Sequence, residues 1–539
     1  MTFKKTSEHE VIEAHLLQRK NLLVNSGPGT GKSTCIEKLI IPAIRGKLKL
    51  QGAGQCITFN SANANELKER IKDATIDCAT TCATGNRLYK KAYPMAKVVV
   101  KSDANPKFRK KASEDKMVYL VDQHFQKELA DGIGFEVAIH LVSHAKKAAF
   151  GLPNHPSIDD RDAWKVLAKR YLANAIEEQG LDAEETEKIS ESLDQQITYG
   201  IKLLKLSNAD NLRVNFDDQI YLPLLLNVEL PPLDFIIYDE FQDVKPVELE
   251  YLRRYHTKGT LLVGVGDYRQ FAYEFAGAIY KAFETVQVVL NMTVCEMKIS
   301  WRCSHTAARL ANTVFPDSVI PAEGNKVGVE SILPYTDLFN RVGELDASHG
   351  LLSRSHKNLM PAALKLLAAR KQFWYKGVRQ LVKKMNQMIW HHATKKDVTD
   401  LTVIRLNLNE YQRQCEEKYV TAAGNLPAWV GRQAETVDSL NLLLVNCEQA
   451  GEGIDCVKSY LKALGDSERK TLNGPALCTI HVSKGLEWPN VYVIGPCQSP
   501  LAVTEEQLYA EKCLEFVAYS RSSENVTIVT LEKAGEAEQ

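Results

Sequence analysis

The sequence predicts an α/β chain of two similar units, each a parallel sheet interrupted by a mainly helical insertion. Three observations lead there. A short apolar run, a glycine-rich turn and a helical pattern follow one another across residues 21–34, the strand–loop–helix of a phosphate-binding turn. Continuous apolar runs return at 233–238 and 260–265, and again at 350–353, 476–480, 491–494 and 526–529, as expected of strands covered on both faces. The stretches between them, 87–207 and 386–470, carry helical periodicity and no convincing strand.

Bulk composition sets the frame. A chain of 539 residues is too long for one core, so several structural units are expected. With 45% hydrophobic and 25% charged residues it reads as an ordinary soluble protein. Its 67 basic and 67 acidic residues cancel, so any surface for a polyanion must be a local patch. The N-terminal residues lack the apolar core of a signal peptide, and no apolar run is long enough for a membrane span. A cytoplasmic chain with no membrane partner is therefore expected. The twelve cysteines are scattered without zinc-ligand spacing and read as buried, reduced thiols.

Taken in order, a helix from Glu8 to Gln18 precedes the first strand. The turn reads Ser26-Gly27-Pro28-Gly29-Thr30-Gly31-Lys32-Ser33-Thr34, with serine where the strict pattern has glycine. Glycines here permit backbone angles that let N–H groups curl around phosphate oxygens at a helix N-terminus. Lys32 is placed for the β- and γ-phosphates, and the Ser33 hydroxyl for Mg²⁺. A strand at 55–59 and a polar-capped helix from Asn60 to Ile71 follow, then a strand and tight turn from Cys78 to Gly85. The helical stretch opens with Lys90, Lys91, Lys97, Lys101, Lys107, Arg109, Lys110, Lys111 and Lys116 among Tyr89, Tyr93 and Phe108. That mixture suits a nucleic-acid surface or a solvated helical face. The acidic run from Glu177 to Asp194 is expected to face solvent.

The apolar run at 233–238 ends in Asp239-Glu240. An acid at the carboxyl end of a buried strand in such a sheet sits at the nucleotide crevice. Asp239 can hold Mg²⁺, and Glu240 can orient and deprotonate a water. The expected division is 1–86 with 208–280 as the first unit, 87–207 as its insertion, 281–385 with 471–539 as the second, and 386–470 as its insertion.

The run Asp239-Glu240-Phe241-Gln242-Asp243 resembles motif II of superfamily 1 DNA helicases of the UvrD/Rep type. Further motifs match in order: Thr58-Phe59-Asn60, the segment Gly266-Asp267-Tyr268-Arg269-Gln270 through Ala278, Ser300-Trp301-Arg302-Cys303, Thr479 to Trp488 and Phe516 to Ser522. The resemblance covers nearly the whole chain, and the short second insertion is similar to compact phage or defence-associated members. It implies two RecA-like P-loop motor domains with ATP and Mg²⁺ as cofactors. Gln270 then senses the γ-phosphate, while Arg302 and Arg521 supply guanidinium groups from the second unit to the transition state. Trp301 takes the adenine-stacking position and Glu487 the ribose contact. Phe59, Asn60, Tyr273, Phe275 and His481 take the positions that grip a single strand without reading it.

Some positions depart from the family pattern. No glutamine stands at Glu8-His9-Glu10 to read adenine; Ala276 replaces an arginine, Cys82 a histidine, and Cys513 a polar residue. The implied function is an ATP-driven single-stranded DNA translocase and 3′–5′ helicase acting on DNA with a 3′ tail. The alternative is a DNA-sensing subunit that gates a partner nuclease. A non-hydrolysing binding module fits less well, because the hydrolytic residues are all present.

Overall fold

The computed structural model describes residues 5–58, 60–98, 115–179, 183–271, 277–419, 428–471, 473–498 and 504–531. Among the described residues ten strands precede residue 322: β1 (Leu22–Ser26), β2 (Gly54–Thr58), β3 (Ile76–Thr80), β4 (Lys97–Val98), β5 (Arg213–Val214), β6 (Phe235–Asp239), β7 (Leu261–Gly266), β8 (Thr293–Met297), β9 (Ile299–Ser300) and β10 (Ile320–Pro321). Six follow: β11 (Glu330–Pro334), β12 (His349–Ser353), β13 (Trp374–Lys376), β14 (Ala476–Thr479), β15 (Trp488–Ile494) and β16 (Ser522–Thr530).

Two six-stranded sheets organise the molecule, in the orders β3-β2-β6-β7-β1-β8 and β11-β16-β15-β12-β14-β13. Every pairing in them is parallel. The strands β1, β2, β6 and β7 are buried along their whole length, which explains their uninterrupted apolar runs. These are the two RecA-like units expected from the sequence. The first sheet runs past the expected boundary at 280, however, because β8 pairs with β1 from Leu22↔Thr293 to Ser26↔Met297.

Both insertions are mainly helical and share cores with the sheets they interrupt. Phe125, Leu141 and Trp164 of the first pack in one cluster with Leu23 and Ile57. Met385, Leu408, Leu443 and Leu461 of the second join Leu351 and Leu359. The second begins at Val378, earlier than expected, with helices Val378–His392, Leu401–Tyr419, Ala428–Gln449 and Ile454–Asp466.

Three local expectations change. The segment after β3 is a helix, Thr81–Ala92, capped by Thr80 Oγ1 accepting from the Ala83 N–H at 3.2 Å. A Cβ on Gly85 would lie 2.2 Å from the Gln219 carbonyl oxygen, so that glycine serves helix packing, not a turn. The first insertion also holds β4, paired with β5. Finally, Lys116 is fully buried between Asp218 (2.8 Å) and the Asp210 carbonyl (3.1 Å), and Tyr89 is a core residue stacked on Tyr93. Neither is available to a polyanion. Lys101, Lys107, Phe108, Arg109, Lys110 and Lys111 lie outside the described residues, as do most side chains of the acidic run from Glu177. Among the described residues no helix is long and apolar enough to cross a membrane.

Candidate nucleotide cleft

The glycine-rich turn leaves β1 between β7 and β8 and enters a helix at Lys32–Cys35, continued by π-helical turns to Lys47. Its Gly27 N–H donates to the Met297 carbonyl at 2.9 Å, tethering the turn to β8. Gly29 and Gly31 take φ of +70° and +85°. A Cβ at Gly29 would stand 2.4 Å from the Arg302 Cβ, so both backbone angle and space demand glycine. Ser26 is accommodated because its buried hydroxyl lies 2.6 Å from Thr30 Oγ1, which in turn donates to the Gly27 carbonyl at 2.9 Å.

The acidic side comes from β6 and β7. Lys32 Nζ donates to Glu240 Oε1 at 2.9 Å. Gln242 donates to Glu240 Oε2 at 2.6 Å, and its own oxygen accepts from the Asp267 N–H at 2.9 Å. Gln270 donates to Asp267 Oδ2 at 2.8 Å, while Arg269 holds Oδ1 at 2.7 Å. Glu240 itself sits at φ +54°, an uncommon conformation for a side-chain residue and one concentrated at functional sites.

Burial and charge divide the two carboxyls. Burial, with the Glu240 charge beside it, pushes Asp239 up to about 6. Burial acts the same way on Glu240, but the Lys32 and Lys484 ammonium groups outweigh it and hold that carboxyl at about 2. Asp239 Oδ1 and Asp243 Oδ1 are buried and find no hydrogen-bond partner. An unsatisfied buried carboxylate oxygen is costly, and a cation would satisfy it. No group of three or more His, Cys, Asp or Glu side chains converges among the described residues. Mg²⁺ held by one carboxylate, one hydroxyl and substrate phosphates needs no such cage; the orphaned Asp239 oxygen, close enough to Lys32 to feel its charge, is a carboxylate of that kind, and Ser33 lines the cavity around the glycine-rich turn.

The opposite wall comes from later in the chain. Ser300 Oγ donates to the Pro28 carbonyl at 2.7 Å, and the Trp301 N–H to the Gly29 carbonyl at 2.9 Å. Trp301 itself is 47% exposed. Arg302 pairs with Glu487, the carboxyl that the motif resemblance assigns to a ribose. Arg521 is buried, donating to the Val517 carbonyl at 3.0 Å and the Leu486 carbonyl at 3.3 Å. Burial first, and then the Arg302 charge, lower it to about 10.

These groups enclose a cavity of about 610 Å³ lined by Gly27 to Thr34, Glu240, Gln270, Arg302 and Arg521. Trp301 and Glu487 do not line it; Asp239 faces a second cavity of about 350 Å³ that also carries Thr58, Asn60 and Phe216. Asn60 borders both and caps the helix Ser61–Ile71 through its side-chain oxygen, which accepts from the Asn63 N–H at 2.8 Å. His481 opens a half-buried single turn, His481–Ser483, on the second unit. Phe59, Tyr273 and Phe275 lie outside the described residues.

Sequence reading missed several members of the cleft. Lys484 donates to Asp243 Oδ2 at 2.7 Å across the two units. Asp267 organises Arg269 and Gln270, and Lys376, Asn63 and Arg70 line the cavity. Lys484 and Asp267 stood inside matched motifs; no spacing rule pairs Lys484 with Asp243, 241 residues away, whereas Asp267 acts on its near neighbours Arg269 and Gln270 and was within reach of the motif.

A family model, the UvrD/REP helicase N-terminal domain, matches residues 7–288, a span that contains the glycine-rich turn, the acidic strand end and Gln270. The F-box DNA helicase protein 1 of Schizosaccharomyces pombe is 25% identical over 321 residues, 56% of this chain and 34% of the yeast protein. The chain thus spans about a third of the length of that relative. With the matched segment covering more than half of its residues and its phosphate turn built as described, the chain belongs to the UvrD/REP helicase family.

Proposed function

We propose that the chain is an ATP-driven translocase on single-stranded DNA and a 3′–5′ DNA helicase. The observation that carries this reading is the split cleft: Lys32, Glu240 and Gln270 stand on the segments that follow β1, β6 and β7, and Arg302, Lys484 and Arg521 reach the same cavity from segments after β9 and β14 and just before β16. A site assembled from two bodies turns over only when they approach, so hydrolysis and relative motion become one event.

Each residue then has a task. The N–H groups of Gly29 to Thr34 cradle the triphosphate, and Lys32 exchanges Glu240 for phosphate oxygens. With Lys32 turned to phosphate, Glu240 keeps the Lys484 charge and the Gln242 amide, which favour the ionised form that a base for water needs. Gln270 positions the γ-phosphate, and Arg302 and Arg521 neutralise charge on the transferring group, a contribution of about 10³–10⁵ in rate. Ser33 and Asp239 would hold Mg²⁺, which supplies charge neutralisation between the β- and γ-phosphates. Trp301 offers a face to the base. Asn60 and His481, with Phe59, Tyr273 and Phe275, form the strand-gripping set, and the work is done in the cytoplasm.

The test is ATP turnover with and without single-stranded DNA, beside Lys32→Ala. Stimulated turnover that survives Lys32→Ala ends the assignment. A duplex with a 3′ tail unwinds and one with a 5′ tail does not; the reverse polarity overturns the direction.

A further inference from the structure

The helix Glu505–Tyr519 carries Arg521 just beyond its C-terminal end, and its N-terminal half rests on the turn that carries Gln270. Tyr509 Oη donates to the Tyr268 carbonyl at 3.1 Å, and Cys513 Sγ lies 3.8 Å from the same oxygen. Tyr268 starts the single turn Tyr268–Gln270, so that carbonyl is part of the backbone that aims the Gln270 amide. Around the contact, the Tyr509 ring stands 5.7 Å from Tyr280, 6.2 Å from Phe315 and 6.4 Å from Phe271, centroid to centroid. The Arg269 guanidinium bridges the two elements as well, 5.1 Å from the Tyr268 ring and 5.5 Å from the Phe516 ring of the helix. At the far end, Arg521 Nε is bonded to the Val517 carbonyl of that same helix. A hydroxyl of one unit thus clamps the backbone of the other beside Gln270, and a rigid helix joins the clamp to Arg521.

We propose that Tyr509 is a positioning residue that fixes the Gln270 turn and Arg521 in one register, so that the γ-phosphate sensor and the arginine finger reach the nucleotide together. The inference rests on the proposed hydrolytic reading. Nothing in the matched motifs assigns a role to Tyr509, which precedes the Phe516 to Ser522 segment. An aromatic contact alone would tolerate sliding, since rings pack at many offsets. The hydroxyl-to-carbonyl bond is directional and fixes one register.

The experiment is a double-mutant cycle on the full chain: wild type, Tyr509→Phe, Arg521→Ala and the pair. Single-turnover ATP hydrolysis with excess enzyme and single-stranded DNA keeps the slow Arg521→Ala background readable. Tyr509→Phe retains the ring and loses the hydroxyl. It is expected to lower the hydrolysis rate about tenfold, to leave the ATP concentration for half-saturation within about twofold, and to cost less than about twofold in the Arg521→Ala background. Tyr280→Phe, in the same ring cluster, removes instead an exposed hydroxyl bond to Glu505 at the start of the helix, away from the Gln270 turn, and is expected to keep the wild-type rate. An equal loss from Tyr509→Phe in both backgrounds, or no loss in the wild type, overturns the proposal. So does a loss matched by Tyr280→Phe, which would make the cluster merely structural. A wild-type chain that hydrolyses nothing would instead sink the reading beneath it.

Discussion

Lys484 Nζ lies 2.7 Å from Asp243 Oδ2, and this one contact ties the turn after β14 to the acidic end of β6. Both groups are almost excluded from water, with side chains 10% and 3% exposed. Burial pushes Asp243 upward and the Lys484 charge opposes it. Breaking such a pair from one side leaves an uncompensated buried charge, at a cost of about 3–5 kcal/mol. Lys484→Met is therefore expected to disfavour the approach of the two units and to lower stimulated ATP turnover by two orders of magnitude or more. Lys484→Met with Asp243→Asn recovers part of that loss, and a steady-state ATPase assay on the three variants reads it. Equal turnover in Lys484→Met and wild type would mean the contact is incidental.

Asp239 and Glu240 are neighbours that titrate in opposite directions, and stability should report it. The folded-state value of about 6 for Asp239 lies above its ordinary 3.8, so ionising it costs stability. That contribution is complete below pH 4 and is lost as pH rises through about 6. Asp239→Asn removes the loss, so at pH 7.5 the nucleotide-free variant should melt higher than wild type, by the equivalent of about 2–3 kcal/mol. The gap should close toward pH 4. The same substitution abolishes Mg²⁺-dependent turnover, which separates stability from function.

Glu240 behaves the other way. Held at about 2, it contributes stability above its ordinary 4.5 that disappears only as pH falls through about 2. The role of base proposed for it predicts that Glu240→Gln still binds nucleotide while turnover drops roughly 10²–10⁴-fold. Equilibrium binding of a fluorescent ATP analogue beside the turnover assay separates these. A variant that loses binding and rate in parallel would return Glu240 to a structural role as the partner of Lys32.

What the sequence made legible follows from what is local. The positions of Lys32 and Ser33 on the cavity and of Asp239 at the end of β6 were readable because a turn chemistry and a strand end each occupy a few consecutive residues. The strands β1, β6 and β7 were readable because burial on both faces forces apolar runs. By contrast β11, an exposed edge strand, and β13, three residues long, carry no such run. Lys116 looked like a surface cation because its buried partner Asp218 lies 102 residues away. The ion pair of Glu487 with Arg302 was equally hidden, because it joins two distant segments. Position in a motif names the residue; only packing names its partner.

The base of the nucleotide is the last case where packing decides. Glu8 occupies the stretch where the family reads adenine, but its carboxylate oxygens accept from the backbone N–H groups of Lys298 at 2.8 Å and Ile299 at 3.4 Å. The Nδ1 atom of His9, a buried side chain, accepts from the Thr6 N–H at 3.1 Å within its own helix cap. The large cavity is lined chiefly by groups that suit phosphates, and in the proposed reading the base is left to the exposed face of Trp301. Sites that hydrogen-bond a substrate group reject analogues lacking it by about 10⁴–10⁵, whereas a stacking face accepts any base. Hydrolysis of GTP, CTP and UTP is therefore expected within about tenfold of ATP in kcat/KM. Trp301→Ala should raise KM for all four about tenfold while leaving kcat near its wild-type value, and Trp301→Tyr should restore it. Discrimination for ATP beyond a hundredfold would mean that a base-reading group moves into place only when nucleotide binds.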